Sequence, residues 1–415
     1  MSIRLRIAFT FFFSLLFHLQ NFSQECTLTS FLELGISNSP VLKDLSNQVQ
    51  TNHFDSLITR AAFLPQVDFN GYLMYAPSVN GWGYSEVISN GQNLTGTLNV
   101  SQQLFNKKTK DLSLKKFGIG SGSLDNARQI SLNDLKRAIT AQYLAAFSSM
   151  EERNFQQDIL SALKTEAVIL KAWTEKGVYR QTDYLSFQVE IMNLERNIRD
   201  LDLTYRKESW NLNQICGMHD TTSCNLRLPE LRDTLAPSVV NSIYFRKFMI
   251  DSLMIVNDRS LIDSRYKPVV KWFADGGIVN NEPRYLYQNF GISAGLSMTL
   301  PVFDGNQRKI NYDRNRVSED TRKNYQESFR LRYQSQISQL RTELEKTQAL
   351  AKENEKQLSL VRELITADKA MLNEGSLPVT DYILALKSLF EAKHAGLQYQ
   401  IRIQYVLNEI NYWKQ

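Results

Sequence analysis

The chain has only three cysteines and four histidines, the residue types most often found in metal sites and disulfides. Cys216, His219 and Cys224 lie closest together in the sequence. Two cysteines eight positions apart in loop-like sequence could close a small disulfide, and the histidine between them makes a metal site conceivable. The other histidines, at positions 18, 53 and 394, are scattered. A possible disulfide between Cys216 and Cys224 is the simpler interpretation, and we expect no metal and no other cofactor.

A catalytic centre is not indicated. No Ser/His/Asp or paired-carboxylate constellation stands out, which disfavours an exported hydrolase, and we expect no enzyme. The net charge of +5 is small for 415 residues, and the charges are interspersed. No basic block interleaved with aromatic residues is present, so we expect no nucleic-acid partner.

Two matching segments have the form charged-Gly-x4-Thr-Asp-Tyr, at 176–184 and 374–382, and they lie 198 positions apart. The segments Leu104-Phe105-Asn106 and Val302-Phe303-Asp304 have the same separation. Two independent pairs in one register indicate an internal duplication.

The first 23 residues are typical of a secretory signal peptide. Arg4 and Arg6 precede an apolar run at 7–19, and Ser23 offers a cleavage point. A membrane anchor is the alternative, but the run is short for a span of about 20 residues. Cys26 follows closely and could accept lipid, although the residues before it lack the small side chain that a lipoprotein signal places there.

Four segments alternate between apolar and small or polar residues, at about 67–75, 94–101, 270–278 and 290–300. Period-two alternation predicts strands with one apolar face, forming one hairpin in each half. A soluble sandwich is one interpretation, but four strands divided between two halves make a poor core. Strands of this length suit a transmembrane barrel. Because open edges are not tolerated in lipid, several chains must then share one barrel.

A very long helical pattern without proline follows each hairpin, at about 106–176 and 304–374. Roughly 70 helical residues extend about 100 Å, which is far longer than a globular domain needs. The apolar seams have the alternating three-and-four spacing of coiled coils. They comprise Leu160, Leu163, Ala167 and Leu170 in the first stretch, and Ile337, Leu340, Leu344, Thr347, Ala351, Asn354, Leu358, Val361 and Ile365 in the second. Each stretch turns back at the Gly-x4-Thr-Asp-Tyr segment into a shorter helix.

Together these features resemble the TolC family of outer-membrane efflux proteins. The segments that carry the resemblance are 28–42 at the first helices, 61–67 before the first strand, 212–217 at the end of the first half and 300–305 after the last strand. No single motif is specific, but their spacing and duplication are, and they span nearly the whole mature chain.

The resemblance implies a membrane α+β fold. Each protomer of a homotrimer would give four strands to a 12-stranded outer-membrane β-barrel, continued by a coiled-coil α-helical barrel across the periplasm. The implied organisation is a signal peptide at 1–23, a first repeat at 24–217, an inter-repeat equatorial segment at 218–239 and a second repeat at 240–415.

The implied function is the passive exit duct of a tripartite efflux or type I secretion system in a Gram-negative outer membrane. Its implied partners are outer-membrane lipid, a periplasmic adaptor (membrane fusion) protein and an inner-membrane pump. The alternative is a periplasmic coiled-coil adaptor or scaffold without a barrel, against which the four lipid-compatible strands argue. Drug, metal and protein cargo all stay open.

The duplicated segments would form the periplasmic tip. The residues expected to dock the adaptor are Gly177, Val178, Tyr179, Gly375, Ser376 and Leu377. Glycine permits a tight reversal of the chain. Thr182 and Thr380 can cap the returning helices, and Asp183 and Asp381 place negative charge at their N-termini.

The tip residues also include the expected gate: Arg180, Thr182, Asp183, Leu372, Leu377, Asp381 and Leu384. Capping alone and gating both stay open for the Thr-Asp pairs. In the family pattern, a Tyr and an Arg of the second repeat latch onto the Thr-Asp of the first. This chain has Leu372 and Leu377 there, and Leu384 in place of a second gate aspartate. We therefore hypothesise a more apolar closure, with Arg180 as an alternative ion-pair partner.

Overall fold

The computed structural model describes residues 26–84, 92–177, 180–219, 223–233, 242–285, 287–373, 377 and 379–414. The predicted signal peptide lies outside them. The helices are α1 (Leu28–Asn38), α2 (Pro40–Ala61), α3 (Lys107–Glu175), α4 (Gln181–Ile215), α5 (Ile243–Arg265), α6 (Gln307–Asn373) and α7 (Val379–Trp413). The strands are β1 (Gln66–Tyr75), β2 (Gln92–Leu104), β3 (Val269–Asn280) and β4 (Phe290–Thr299), with a 3₁₀ turn at Pro283–Tyr285.

The order of the elements shows the duplication. The series helix, strand, strand, long helix, shorter helix occurs first from α2 to α4 and again from α5 to α7. The long helices α3 and α6 have 69 and 67 residues, so the two long stretches predicted from the sequence are confirmed. Among the described residues, no helix is both long enough and apolar enough to span a lipid bilayer.

The chain forms two compact units, and each unit draws on both halves of the sequence. One unit contains the described residues up to position 42 and those within 131–237 and 332–415, and the other contains the described residues within 43–130 and 238–331. We call them the helical unit and the sheet unit. Helices α3 and α6 each contribute residues to both.

Polar side chains fix the starts of the helices in the sheet unit. The Ser242 hydroxyl accepts a hydrogen bond from the backbone N–H of Tyr244 (3.3 Å) and caps α5. The Asp304 carboxylate accepts bonds from the Arg308 N–H (2.8 Å) and from the Tyr266 hydroxyl (2.6 Å). Asp304 therefore caps the start of α6 and ties it to the end of α5, a role that its place in a repeated segment did not reveal.

The four strands form one antiparallel sheet in the order β1-β2-β3-β4. The predicted hairpins are β1–β2 and β3–β4, and β2 pairs with β3 to join them. Cross-strand partners in such a ladder lie on the same face. The register aligns the apolar positions of all four strands, as in the rows Val67, Val100, Ala274, Ala294 and Phe69, Leu98, Gly276, Ile292. The sheet therefore has one apolar and one polar face, as predicted.

The core of the helical unit surrounds α3. Ile139, Tyr143 and Phe147 are buried there with Phe31 of α1 and Leu212 of α4. Helix α1 approaches closely because Gly35 has no side chain: a Cβ atom there would lie 2.3 Å from Ile139 Cδ1. Burial of side chains of this size contributes roughly 1.5–3 kcal/mol each, which makes this cluster a main source of the unit's stability.

The predicted coiled-coil seams are confirmed. Leu160, Leu163 and Ala167 of α3 are buried and pack with Ile191 and Leu194 of α4. All nine seam positions of α6 are buried or half-buried. Within each half, the long helix is therefore paired with the helix that follows it.

The predicted disulfide between Cys216 and Cys224 is wrong. Cys224 is bonded to Cys26, with the Cα atoms 6.2 Å apart. Cys216 is a buried free thiol at the end of α4, and its Sγ donates to the Phe31 carbonyl (3.4 Å). Burial raises the pKa of the Cys216 thiol to about 11, so it stays protonated and unreactive at neutral pH. Nearness in sequence was misleading because α1 covers Cys216, whereas the extended segment 223–233 carries Cys224 to Cys26.

Candidate functional site

The first predicted tip segment is a turn between α3 and α4. Gly177 has a φ angle of 75°, a left-handed conformation that residues with a Cβ resist. Its N–H bonds to the Thr174 carbonyl (3.0 Å), which closes the last turn of α3. Nothing lies within 4 Å of the place where a Cβ would stand. The backbone conformation, rather than crowding, therefore requires glycine here. Val178 and Tyr179 lie outside the described residues.

The capping role predicted for Thr182 is wrong. Helix α4 begins at Gln181 with Arg180 at its N-cap, and the Arg180 side chain makes no capping hydrogen bond. Thr182 is thus the second residue of the helix, and its side chain is exposed. Asp183 follows it in the first turn. We conclude that the Thr-Asp pair is not explained by capping with threonine.

The second tip segment is described only in part, because Gly375 and Ser376 lie outside the described residues. Helix α7 begins at Val379, so Thr380 is also its second residue, and it is not the predicted cap. Asp381 lies in the first turn, where a negative charge is favourable at the positive end of the helix dipole. That part of the prediction is confirmed.

Where the structure describes their side chains, the predicted gate residues are exposed or half-buried. Leu384 is 62% exposed, Leu377 is half-buried, and Leu372 lies in the last turn of α6. Arg180 is exposed, and in the described part of the chain no carboxylate forms a salt bridge with it. The ion pair hypothesised for Arg180 therefore has no partner among the described side chains of the protomer, and it stays a prediction.

A group of titratable residues near the predicted tip brings the two halves of the chain together, and the sequence did not predict it. Tyr382, the last residue of the second Thr-Asp-Tyr, is buried, whereas its counterpart Tyr184 is half-buried. Burial raises the pKa of the Tyr382 hydroxyl, and the Glu166 and Asp368 carboxylates raise it further. Burial also raises the pKa of the Glu166 carboxyl, which the Lys369 ammonium partly offsets.

A buried amide fixes the pairing of α6 with α7. Asn354 occupies a seam position of α6, and its Nδ2 donates to the Ala392 carbonyl of α7 (2.9 Å). A Cβ on Gly396 would lie 2.8 Å from that nitrogen. A polar residue in a coiled-coil seam is satisfied in one register only. The spacing of the seam residues predicted the place of Asn354, but it did not reveal that Gly396 makes room for the amide.

Helices α4 and α6 also carry exposed apolar side chains at helical spacing. Leu185, Val189 and Met192 of α4 follow at intervals of four and three residues, and all are exposed. Leu360 and Leu364 of α6 are exposed as well. An apolar stripe of this kind is typical of a helix that packs against a further partner.

The apolar face of the sheet is also exposed. On the edge strands, Phe69 is 71% and Ile292 is 81% exposed, and Leu73, Leu296 and Met298 are similarly accessible. Strands β1 and β4 form the two edges. A sheet with an exposed apolar face and open edges is unstable alone in water, because both features promote association.

No protein-family model matches the chain, and no curated protein matches it. Solved structures match over most of its length. The outer membrane protein VceC from Vibrio cholerae has 13% sequence identity and a TM-score of 0.76, covering 93% of this chain and 96% of that one. The Neisseria gonorrhoeae MtrE outer membrane channel in its open state has 14% identity and a TM-score of 0.75, covering 93% and 88%.

The Campylobacter jejuni CmeC outer membrane channel is similar at 12% identity, with a TM-score of 0.73 and coverage of 93% and 85%. Identities this low establish a shared fold. The chain therefore has the fold of these outer-membrane channel proteins, and the fold class that the resemblance to the TolC family implied is confirmed.

Proposed function

We propose that this chain, which has the fold of outer-membrane channel proteins, is the passive exit duct of a tripartite efflux or type I secretion system. It would lie in the outer membrane of a Gram-negative bacterium, extend into the periplasm and catalyse no reaction. The observation that carries the proposal is the sheet: its aligned apolar face is exposed and its two edges are open. Lipid would cover that face.

The open edges are the argument for assembly. In hydrocarbon every backbone N–H and C=O needs a partner, so β1 and β4 must pair with strands of other copies. Three copies of a four-stranded sheet would close a barrel of 12 strands. In such an assembly, the exposed stripe of Leu185, Val189 and Met192 on α4 would be buried against a helix of a neighbouring copy.

The repeats that we infer are 24–217 and 240–415, joined by an equatorial segment at 218–239. The described residues of that segment, 218–219 and 223–233, contain neither helix nor strand. It packs through Leu226 on the core around α3, as a segment that surrounds the helices would.

The turns at the ends of α3 and α6 would form the periplasmic tip. The adaptor would dock at Gly177, Val178, Tyr179, Gly375, Ser376 and Leu377, and the adaptor would in turn contact the pump. Photocrosslinkers next to Gly177 and Gly375 should capture an adaptor, whereas a crosslinker at the exposed Tyr325 of α6 should not.

The gate would close between protomers through Leu372, Leu377 and Leu384, with Asp183 and Arg180 of neighbouring copies at the same level. Leu377→Ala and Asp183→Ala should each raise the conductance of the closed channel. If both variants left it unchanged, the gate would lie elsewhere.

Membrane extraction and conductance test the duct itself. The purified chain should form a trimer and insert conducting channels into a planar bilayer, and high salt should not release it from outer membranes. Release by high salt, together with a lack of conductance, would favour the alternative of a periplasmic adaptor or scaffold without a barrel.

A further inference from the structure

The polar face of the sheet carries the charged residues of the strands. Within β1 to β4, the charged side chains are Asp68, Lys271 and Asp275. All three alternate with the apolar positions, so they point away from the apolar face. If lipid covers the apolar face, these charges line the lumen.

The register places the two carboxylates in one row. Asp68 pairs with Asn99, Asn99 pairs with Asp275, and Asp275 pairs with Ser293. The row crosses the whole protomer, and carboxylates alternate in it with an amide and a hydroxyl. The Ser293 hydroxyl donates to the Asp275 carboxylate, with distances of 2.9 and 2.8 Å to its two oxygens. This bond holds the carboxylate along the row and leaves its charge unneutralised.

Lys271 does not neutralise the row. It lies four residues from Asp275 on β3, about 13 Å along the strand, toward the end that follows α5. Its row partners are Gln103 and Ser297, which are neutral. The acidic row therefore carries two negative charges per protomer, and the basic row carries one positive charge at a separate level.

Threefold symmetry turns these positions into rings. The three Asp68 side chains would share one level, and the three Asp275 side chains would share another. Since strands in such barrels tilt by about 40°, two strand spacings offset the two levels by about 6 Å along the axis. The lumen would thus contain two adjacent rings of three carboxylates.

The dimensions allow these rings to act across the whole lumen. Twelve strands about 4.8 Å apart and tilted by about 40° give a backbone diameter of roughly 24 Å. Inward side chains of ~5 Å leave the charges about 7 Å from the axis. The Debye length is about 8 Å at physiological ionic strength and about 3 Å in 1 M salt. The rings therefore reach the axis in the first condition and are screened in the second.

We propose that Asp68 and Asp275 make the β-barrel lumen selective for cations and positively charged solutes over anions, and that Lys271 weakens this preference. The inference rests on the proposed duct, because the rings exist only in a closed barrel. Rings of carboxylates favour cations electrostatically without binding any one of them tightly.

Modification of a reporter cysteine in the row tests the proposal even when the periplasmic gate is shut, since reagents enter from the outer side. Asn99→Cys lies between the two carboxylates. Trimers in neutral-lipid vesicles would be treated with a cationic and an anionic methanethiosulfonate of similar size. We expect the cationic reagent to react faster at ~0.1 M salt. Asp68→Asn with Asp275→Asn should reduce the rate ratio at least about threefold, and the reduction should largely disappear at ~1 M salt.

Lys271→Gln is the control of opposite sign, and it should raise the rate ratio. Ser293→Cys reads the same row from β4, should the first reporter fail to assemble. The wild-type chain gives the background, because Cys26 and Cys224 are bonded and Cys216 is buried.

Conductance of the same preparations separates the two ways of failing. If conducting trimers gave a rate ratio that changed neither with the asparagine variants nor with salt, the role of Asp68 and Asp275 would be wrong. The proposed duct would be unaffected. Protein that forms no conducting trimer would overturn the duct and the inference with it.

Discussion

Cys26 and Cys224 form a disulfide between two positions that are related by the offset of the sequence duplication. Their separation of 198 residues is the separation of the two Thr-Asp-Tyr segments. Leu28 and Leu226 follow at the same offset and are both buried in the core around α3. The residues at the start of α1 and those of the segment after α4 are therefore counterparts, and we infer that the duplication extends into the inter-repeat segment.

The disulfide should contribute about 2–5 kcal/mol to the free energy of unfolding, because it closes a very long loop. Cys26→Ser and Cys224→Ser should each lower stability by that amount in denaturant titrations, and reductant should affect the wild type alone. Cys216→Ala is the control for loss of a cysteine without loss of the bond. Two accessible thiols in the unreduced wild type would show that the bond does not form. The bond also leaves the Cys26 thiol unable to carry a lipid.

Tyr143 of α3 contacts both segments that the disulfide links, at Cys26 and at Arg227. Its hydroxyl lies 3.0 Å from the Cys26 carbonyl and 2.8 Å from the Arg227 carbonyl, and it accepts from the Arg227 N–H (3.1 Å). Tyr143→Phe would leave these part-buried backbone groups without that partner, at a cost of about 1–3 kcal/mol. Thermal unfolding should show the loss, whereas Tyr325→Phe at an exposed site should change little.

Gly396→Ala should weaken the pairing of α6 with α7. The added methyl group would collide with the Asn354 amide, whose hydrogen bond to Ala392 would have to break. We expect a loss of about 1–3 kcal/mol in denaturant titrations. Gly118→Ala in α3 is the matched control, since nothing lies within 4 Å of its added Cβ. That change should stabilise the helix by up to about 1 kcal/mol. Equal effects of the two substitutions would contradict the proposed packing.

Glu166 should make the helices near the tip less stable as pH rises. Its pKa is raised in the folded protein, mainly by burial, so the folded state favours the protonated carboxyl. Its contribution is fully present below the unfolded pKa and is lost as pH rises through the folded pKa. Glu166→Gln should remove this part of the pH dependence in thermal unfolding series. Glu195 is a suitable control because its pKa is lowered, chiefly by a hydrogen bond from Lys164, so Glu195→Gln should have the opposite pH trend.

The elements could be predicted from the sequence because each has its own periodicity. The strands follow from strict alternation, and the long helices follow from three-and-four spacing without proline. In each case the signal lies within a few residues of the structure that it predicts.

Relationships between distant segments could not be predicted in this way. The partner of Cys224 depends on how α1 folds over Cys216, and spacing along the chain carries no information about that. The row that unites Asp68 with Asp275 depends on the pairing of β2 with β3, which lie in different repeats. Alternation predicts which face of its strand a residue occupies, but not that these two carboxylates share a row.

The Asn354 amide also constrains how the tip can move. An apolar seam alone would tolerate one helix sliding past the other by a turn, because one leucine contact replaces another. The Asn354 amide donates to the Ala392 carbonyl and fits because Gly396 has no side chain. If one helix slid past the other, the amide would stay buried without its hydrogen-bond acceptor. If the ends of these helices form the proposed periplasmic gate, α6 and α7 would therefore move together as one pair when it opens, without sliding past each other.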